Sequence, residues 1–122
     1  MAARHKETIA HANAKDVCFD VCPSSNLALK VVESMAAHPL KIMMNAGLAC
    51  SIGSDDPLLF GGSLLEEYRL ARDEIGLSEQ DLAACAKTSF GHSAAPARLQ
   101  LKAMVAIREW LNDDESHYRI VF

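Results

Sequence analysis

The 122-residue sequence has no long apolar run and no excess of basic residues. Since no segment approaches the ~20 apolar residues that cross a bilayer, we expect no membrane partner. Acidic residues outnumber basic ones by 16 to 12 and the basic ones are scattered, which argues against a nucleic-acid partner. The first residues lack the charged-then-apolar order of a secretory signal, so a cytoplasmic protein is expected.

The sequence also has no C-x-x-C pair among its four cysteines. Three of the four lie in apolar runs, where a free cysteine behaves as a small hydrophobic residue. We therefore predict reduced, inert thiols and neither disulfides nor a metal cluster. His5 and His11 are six residues apart rather than four, which favours solvated helix positions over a helical metal site.

Half of the residues are hydrophobic, which is enough for one domain with one modest core. Residues 17–22 and 48–52 are short, β-favouring apolar stretches and are predicted strands. Between them, residues 40–46 have helical spacing and precede a glycine. A helical crossover of this length implies parallel strands and an α/β fold. After the second strand the pattern is helical, with breaks at Gly61-Gly62, Gly76 and residues 91–96. Residues 23–26 are predicted to form a turn, Ser63 and Ser78 to start helices, and Phe90 and Leu99 to face inward.

Two adjacent carboxylates, Asp55 and Asp56, follow the second predicted strand and precede Pro57. Active sites of α/β proteins are built at the carboxyl ends of parallel strands. Two adjacent carboxylates at a turn there can serve separate roles, one binding a metal and the other a substrate. An aspartate followed by a proline is equally typical of a helix start, with Asp56 as the N-cap. The local sequence alone leaves both interpretations open.

Four short motifs follow one another along the chain: Val21-Cys-Pro-Ser-Ser-Asn26, His38-Pro-Leu40, Ser51-Ile-Gly-Ser-Asp-Asp-Pro57 with Phe60, and Glu67-Tyr68. Each motif is short, but their order and intervals make the set specific. Together they resemble the C-terminal part of an adenosine/adenine deaminase of the metal-dependent amidohydrolase superfamily. The resemblance runs from about residue 16 to 111, which leaves 112–122 as a tail.

The resemblance implies a partial TIM (β/α)8 barrel in which this chain supplies the last two parallel strands, their helices and a helical C-terminal end. It implies one divalent metal, usually zinc, with Asp55 as a catalytic residue and metal ligand. Asp56 corresponds to the acid that contacts the purine ring as a substrate-binding residue. The implied reaction is attack of a metal-activated hydroxide on a purine nucleoside, which converts adenosine and water to inosine and ammonia.

Other family elements are absent from this sequence: the H-x-H pair, the segment with a histidine and a glutamate, and the upstream His-Gly element. One aspartate is too few for a catalytic zinc, and two strands are too few for a barrel. We therefore expect residues 1–122 to be a single C-terminal fragment that is inactive without the remaining N-terminal part of the barrel. The alternatives are an adenine deaminase, or a catalytically inactive fragment or small α/β domain. A magnesium-binding receiver-like module fits poorly because it needs more strand–helix units.

Overall fold

The computed structural model of the protein describes residues 6–112, which form a short parallel sheet surrounded by helices. Both predicted strands and the helix between them are confirmed. The sequence predictions for His5 and for residues 113–122 lie outside the described residues. The elements are α1 (Lys6–Ala14), β1 (Cys18–Val21), α2 (Pro23–Ala28), α3 (Leu40–Asn45), β2 (Ala49–Ile52), α4 (Pro57–Phe60), α5 (Leu64–Leu70), a π-helical turn (Ala71–Ile75), α6 (Glu79–Gly91) and α7 (Ala97–Leu111).

The two strands are parallel, with Asp20 opposite Ser51 and Val21 opposite Ile52. Because side chains alternate along a strand, each pair of partners marks one face of the sheet. Asp20 and Ser51 share one face and are joined there by a hydrogen bond. Val21 and Ile52 are buried on the opposite face, which belongs to the core.

The core lies where α3, α5 and α6 pack against β2, and it is almost entirely aliphatic and sulfur-containing. Leu40 at the start of α3 and Cys85 in α6 are completely buried. The Cys85 thiol lies 3.6 Å from the sulfur of Met44, which fills the gap between α3 and α6. All four cysteines are free, as expected from the sequence. The buried apolar residues of this cluster are Ala12, Val21, Leu40, Met43, Leu48, Cys50, Ile52, Ala71, Leu77, Leu82 and Cys85.

Polar side chains start α4, α5 and α6, which follow the second strand. The Asp56 side chain caps α4, and Pro57 occupies the first turn of that helix. Ser63 and Ser78 each begin a helix with a reciprocal capping box, the second of which uses Asp81. These starts agree with the sequence prediction. They fix where the chain turns after the second strand.

Two local predictions are wrong, and one local feature was not predicted. Residues 23–26, predicted as a turn, form the first part of α2, because Pro23 supplies a preset helical φ at the first position. The predicted inward residues Phe90 and Leu99 are exposed, and no residue of α7 is fully buried. This helix packs mainly on α6, so its apolar face is only half covered. The π-helical turn was not predicted; it ends at Gly76, in the left-handed conformation.

None of the helices within residues 6–112 combines the length and the apolar character needed to cross a membrane.

Candidate functional site

The carboxyl ends of the two strands meet at one edge of the sheet, and the polar residues collect there. The Gly53 amide donates to the Val21 carbonyl at 2.8 Å, which continues the strand pairing into the loop. A Cβ at Gly53 would lie 3.1 Å from Asp20 Oδ1 and 3.3 Å from Cys22 Sγ. Glycine therefore allows the second strand to pass close to the Asp20 carboxylate, which accepts a hydrogen bond of 3.0 Å from Ser51 Oγ.

Asp55 stands in the loop beyond β2 with a left-handed backbone, φ 60°. Aspartate tolerates this region better than most residues, but the conformation is uncommon and is typical of functional turns. The side chain is exposed, and its Oδ2 atom accepts a hydrogen bond of 2.7 Å from Ser25 Oγ. No hydrogen bond to the other oxygen, Oδ1, is found among residues 6–112. One carboxylate oxygen is thus held, and the other can accept a ligand.

Asp56 serves as the N-cap of α4, with Oδ1 accepting a hydrogen bond of 3.0 Å from the Leu58 amide. Its side chain is exposed, and within the described residues its second oxygen has no hydrogen bond. The capping role that the sequence left open is therefore confirmed. It occupies only one carboxylate oxygen, so a second contact to a substrate stays compatible with the geometry.

Glu67 is the most deeply buried carboxylate of the described chain, with 1% of its surface exposed. Its Oε2 atom accepts a hydrogen bond of 3.1 Å from the Ser24 amide in the first turn of α2. Its Oε1 atom is buried without a hydrogen-bond partner in residues 6–112. A buried oxygen of this kind is expensive in free energy and is rare in folded proteins. Glu67 therefore ties α5 to α2 directly beside the strand ends.

The electrostatic field at the strand ends is negative, and it affects the pKa of the Cys22 thiol. Burial raises the pKa of Cys22, and the charges of Asp20, Asp55 and Glu67 raise it further against a hydrogen bond from the Asp55 backbone. The carboxylates of these three residues lie in different parts of the fold, and all of them raise the pKa of the same thiol. Such a field favours a cation and keeps this thiol protonated.

His38 is a structural residue and not a ligand candidate. Its Nδ1 atom accepts a hydrogen bond of 3.1 Å from the Leu40 amide, so the ring proton resides on Nε2, which lies 2.9 Å from Asn26 Oδ1. Burial lowers the pKa of His38, which keeps the ring neutral. The imidazole thus joins the start of α3 to α2 with both nitrogens occupied.

The donors at the strand ends suit a divalent metal ion only in part. Asp55 is an exposed carboxylate with one oxygen available, as a single metal ligand requires. No group of three or more histidine, cysteine, aspartate or glutamate side chains in residues 6–112 is arranged to hold a metal. A catalytic zinc takes about three protein ligands. Asp55 therefore fits as one ligand of such a site, and the other donors would come from elsewhere.

The structure brings Asp55 and Asp56 to the edge of the sheet that the sequence predicted for them, and it adds two partners that the sequence reasoning missed. Ser25 and Glu67 lie in the motifs that carry the family resemblance, but the motifs by themselves indicate no role for either residue. A signal for Glu67 was present: it lies four positions before Ala71, on the same side of the helical run as this fully buried residue, where a carboxylate is out of place. Ser25 follows the first strand as Asp55 follows the second.

An apolar cavity of about 290 Å³ lies away from these residues, between α5, α6 and α7. Leu82 and Ala86 of α6 face Ile107 and Trp110 of α7 across it. Its lining carries almost no polar surface, so it is an apolar gap in the packing of the helical region.

Comparison with known protein families gives a match over nearly the whole chain. The family model described as adenosine deaminase matches residues 2–110. A putative adenosine/adenine deaminase of Streptomyces coelicolor is 36% identical over 110 residues, which cover 90% of this chain and 32% of the relative. The adenine deaminase of Sphingopyxis alaskensis is 45% identical over 82 residues, covering 67% of this chain and 24% of the relative. The chain spans about a third of the length of the curated relatives it matches.

Solved structures agree with the fold. The crystal structure of an adenine deaminase from Arthrobacter aurescens superposes with a TM-score of 0.86 at 28% identity, over 90% of this chain and 34% of that chain. The Arabidopsis ADAL protein, whose structure is complexed with IMP, gives a TM-score of 0.74 at 22% identity, over 86% of this chain and 31% of its own. The second likeness concerns the fold alone.

Proposed function

Because the chain belongs to the adenosine deaminase family, we propose that it contributes the strand ends carrying Asp55 and Asp56 to a purine-deaminating site. The reaction is the hydrolysis of adenosine to inosine and ammonia. The single observation that carries the proposal is the placement of both acids at the carboxyl edge of a parallel strand pair, with one oxygen of each still available.

The proposed architecture is part of a TIM barrel, of which β1 and β2 are two neighbouring strands. The superposition on the Arthrobacter enzyme supports it, since this chain covers 34% of that structure. The sheet of the described chain has two strands, so each strand keeps an unpaired outer edge. On α4, Leu58 and Leu59 are 98% and 73% exposed. Exposed apolar side chains of this kind form a surface that another part of a barrel would cover. We propose that the remaining part of the barrel pairs with these edges.

In this proposal Asp55 is a ligand of one divalent metal, for which zinc is the expected ion. When such an ion is bound, its chemistry is the activation of water as a nucleophile near neutral pH. Asp55 offers its exposed Oδ1 atom, while Oδ2 is held by Ser25. The negative field of Asp20, Asp55 and Glu67 favours a cation at this place. The histidine ligands would be supplied outside the described chain.

Asp56 is proposed to bind the purine ring through the oxygen that does not cap α4. Since the other oxygen accepts from the Leu58 amide, the carboxylate is fixed by the helix start and cannot rotate freely. A ring nitrogen is an acceptor, so one partner of the contact carries a proton. In this proposal the fixed Asp56 carboxylate orients the purine ring. Because the backbone turns between Asp55 and Asp56, one side chain can bind the metal while the other binds the ring.

Adenine is a second candidate substrate. The observation that favours it is the similarity to adenine deaminases, which reaches 45% and 44% identity in two relatives. The proposed contact of Asp56 is to the purine ring, which adenine and adenosine share. The residues of this chain therefore support purine deamination as a class, and the groups that recognise or exclude the ribose would lie in the rest of the barrel.

A chimera tests the proposal. This chain replaces the segment that it matches in the Streptomyces coelicolor relative, and ammonia release from adenosine and from adenine is measured with the metal content of the purified protein. We expect one metal per chimera and turnover of at least one of the two purines. The 122-residue chain by itself serves as the comparison and is expected to be inactive. A correctly folded chimera that binds no metal and releases no ammonia would refute the proposal.

A further inference from the structure

The Asp55 carboxylate, which follows the second strand, accepts a hydrogen bond from Ser25, which follows the first strand. Ser25 is 2% exposed, yet its hydroxyl reaches the exposed Asp55 side chain at 2.7 Å. This is the length of a charge-assisted hydrogen bond from a hydroxyl to an ionised carboxylate. The two residues are 30 positions apart in the sequence, so only the parallel pairing of β1 and β2 brings them together.

Ser25 is itself immobilised. It lies in α2, and its carbonyl accepts a hydrogen bond of 2.8 Å from the Leu29 amide. One residue earlier, the Ser24 amide donates to the buried Glu67 carboxylate at 3.1 Å. Pro23 before it is buried as well. The first turn of α2 is thus anchored by α5, and the Ser25 hydroxyl is a fixed donor.

The Asp55 backbone donates a hydrogen bond to the Cys22 thiol, but within the described residues the Asp55 side chain has no hydrogen bond besides the one from Ser25. The Asp55 backbone is left-handed, and the cap of α4 is provided by Asp56 and not by Asp55. Without Ser25, the described contacts would leave both oxygens of Asp55 free to rotate about χ1. A metal ligand that is free to rotate binds its ion more weakly than one held by a hydrogen bond from a neighbouring residue.

We propose that Ser25 is a positioning residue for Asp55: its hydroxyl fixes Oδ2 so that Oδ1 is presented to the metal, and Glu67 anchors Ser25 through α2. This inference rests on the proposed function for the metal, while the ordering of Asp55 by Ser25 is a property of the chain alone. It assigns a positioning role to Ser25 and an anchoring role to Glu67.

The first test measures the order of Asp55 in the full 122-residue chain. Three-bond Hα–Hβ couplings from NMR report whether its χ1 angle occupies one rotamer. We expect one rotamer in the native chain, rotamer averaging in Ser25→Ala, and one rotamer again in Ser25→Thr, which keeps the hydroxyl. Ser24→Ala is the matched control, since only the backbone amide of Ser24 is used. Circular dichroism verifies that each variant is folded. An ordered Asp55 in Ser25→Ala, or an averaged one in the native chain, would overturn the inference.

The second test measures metal release to a chelator from the chimera described above, loaded with zinc. Ser25→Ala should release zinc about 10- to 100-fold faster than the native sequence, whereas Ser24→Ala should not change the rate. If the native chimera holds zinc and Ser25→Ala releases it at the native rate, the inference fails and the proposed function stands. If the native chimera holds no zinc, the proposed function fails, together with the metal part of the inference, and the rotamer measurement still decides whether Ser25 orders Asp55.

Discussion

The strand-end region and the α6–α7 region of this small protein are held together by different forces. At the strand ends, hydrogen bonds between distant residues join Ser25 to Asp55 and Ser24 to Glu67. Between α6 and α7, apolar contacts dominate, no residue of α7 is fully buried, and an apolar cavity of about 290 Å³ remains. One region is specified by directional contacts and the other by loosely packed hydrophobic surface.

This difference indicates where the chain tolerates change. Directional hydrogen bonds to charged groups fail when an atom moves by a fraction of an ångström, because a buried partner is then left unsatisfied. Apolar contacts are non-directional and can adjust to a new side chain. Function-related substitutions should therefore concentrate their effects at the strand ends, and the helical region should respond mainly in stability.

The largest expected effect is on activity at Asp55. In the active chimera, Asp55→Ala should reduce deamination by about 10³-fold or more, because a metal ion contributes several kcal/mol of transition-state stabilisation. Its thermal stability should fall as well, because the buried Ser25 hydroxyl loses its acceptor and alanine tolerates the left-handed backbone less well than aspartate. Steady-state ammonia release and calorimetry measure the two quantities. Glu33→Ala, an exposed carboxylate in the connection between α2 and α3, is the control and should keep native activity. Near-native turnover of Asp55→Ala would remove this residue from the site.

The second effect contrasts the packing of the two regions. Gly53→Ala introduces a Cβ 3.1 Å from Asp20 Oδ1 and 3.3 Å from Cys22 Sγ, so we expect a loss of about 1–3 kcal/mol in the free energy of unfolding. Ala86→Leu adds apolar atoms beside the cavity of the helical region and should leave stability unchanged or raise it by up to about 1 kcal/mol. Urea denaturation measures both. Equal losses in the two variants would contradict the distinction between the regions.

The third effect is the pH dependence that His38 brings to the strand-end region. Burial holds the pKa of His38 below its ordinary value of 6.5, so the unfolded chain binds a proton before the folded chain does. The stability contributed by the neutral ring is fully present above pH 6.5 and is lost as the pH falls below it. Urea denaturation between pH 7.5 and about 5 should show this slope, and His38→Gln should reduce it. His11→Gln, on the exposed side of α1, should leave the slope unchanged. An unaltered slope in His38→Gln would exclude this residue as its source.

The smallest effect concerns thiol reactivity. Burial raises the pKa of Cys50 to about 11 and that of Cys85 to about 12. Both thiols should therefore resist modification by a disulfide reagent at pH 8, as long as the chain is folded. In the native chain only the partly exposed thiols are expected to react, Cys18 first and Cys22 more slowly because its pKa is raised, whereas all four should react in denaturant. Rapid modification of Cys85 in the folded chain would show that the α6 region opens more readily than its packing indicates.

Much of the fold could be predicted from local signals. The two strands follow from β-favouring apolar residues, and the starts of α4, α5 and α6 follow from Asp56, Ser63 and Ser78, because a helix cap depends on only a few consecutive residues. The inward side of α7 could not be predicted in the same way. Its apolar stripe is real, but the amount of that stripe that is covered depends on what packs against it, and here α6 covers only part.

The sequence by itself determined that two acids follow a strand, that Asp56 is a candidate helix cap, and that the ordered motifs resemble one family. Only the tertiary structure decided which oxygen of each acid is occupied and which is available. It also decided that Ser25 holds Asp55 and that Glu67 lies buried against α2 with one unsatisfied oxygen. The physical reason is that these contacts join residues 30 to 43 positions apart, and the register of the strand pair and the packing of α5 on α2, which local signals do not encode, bring them within hydrogen-bond distance.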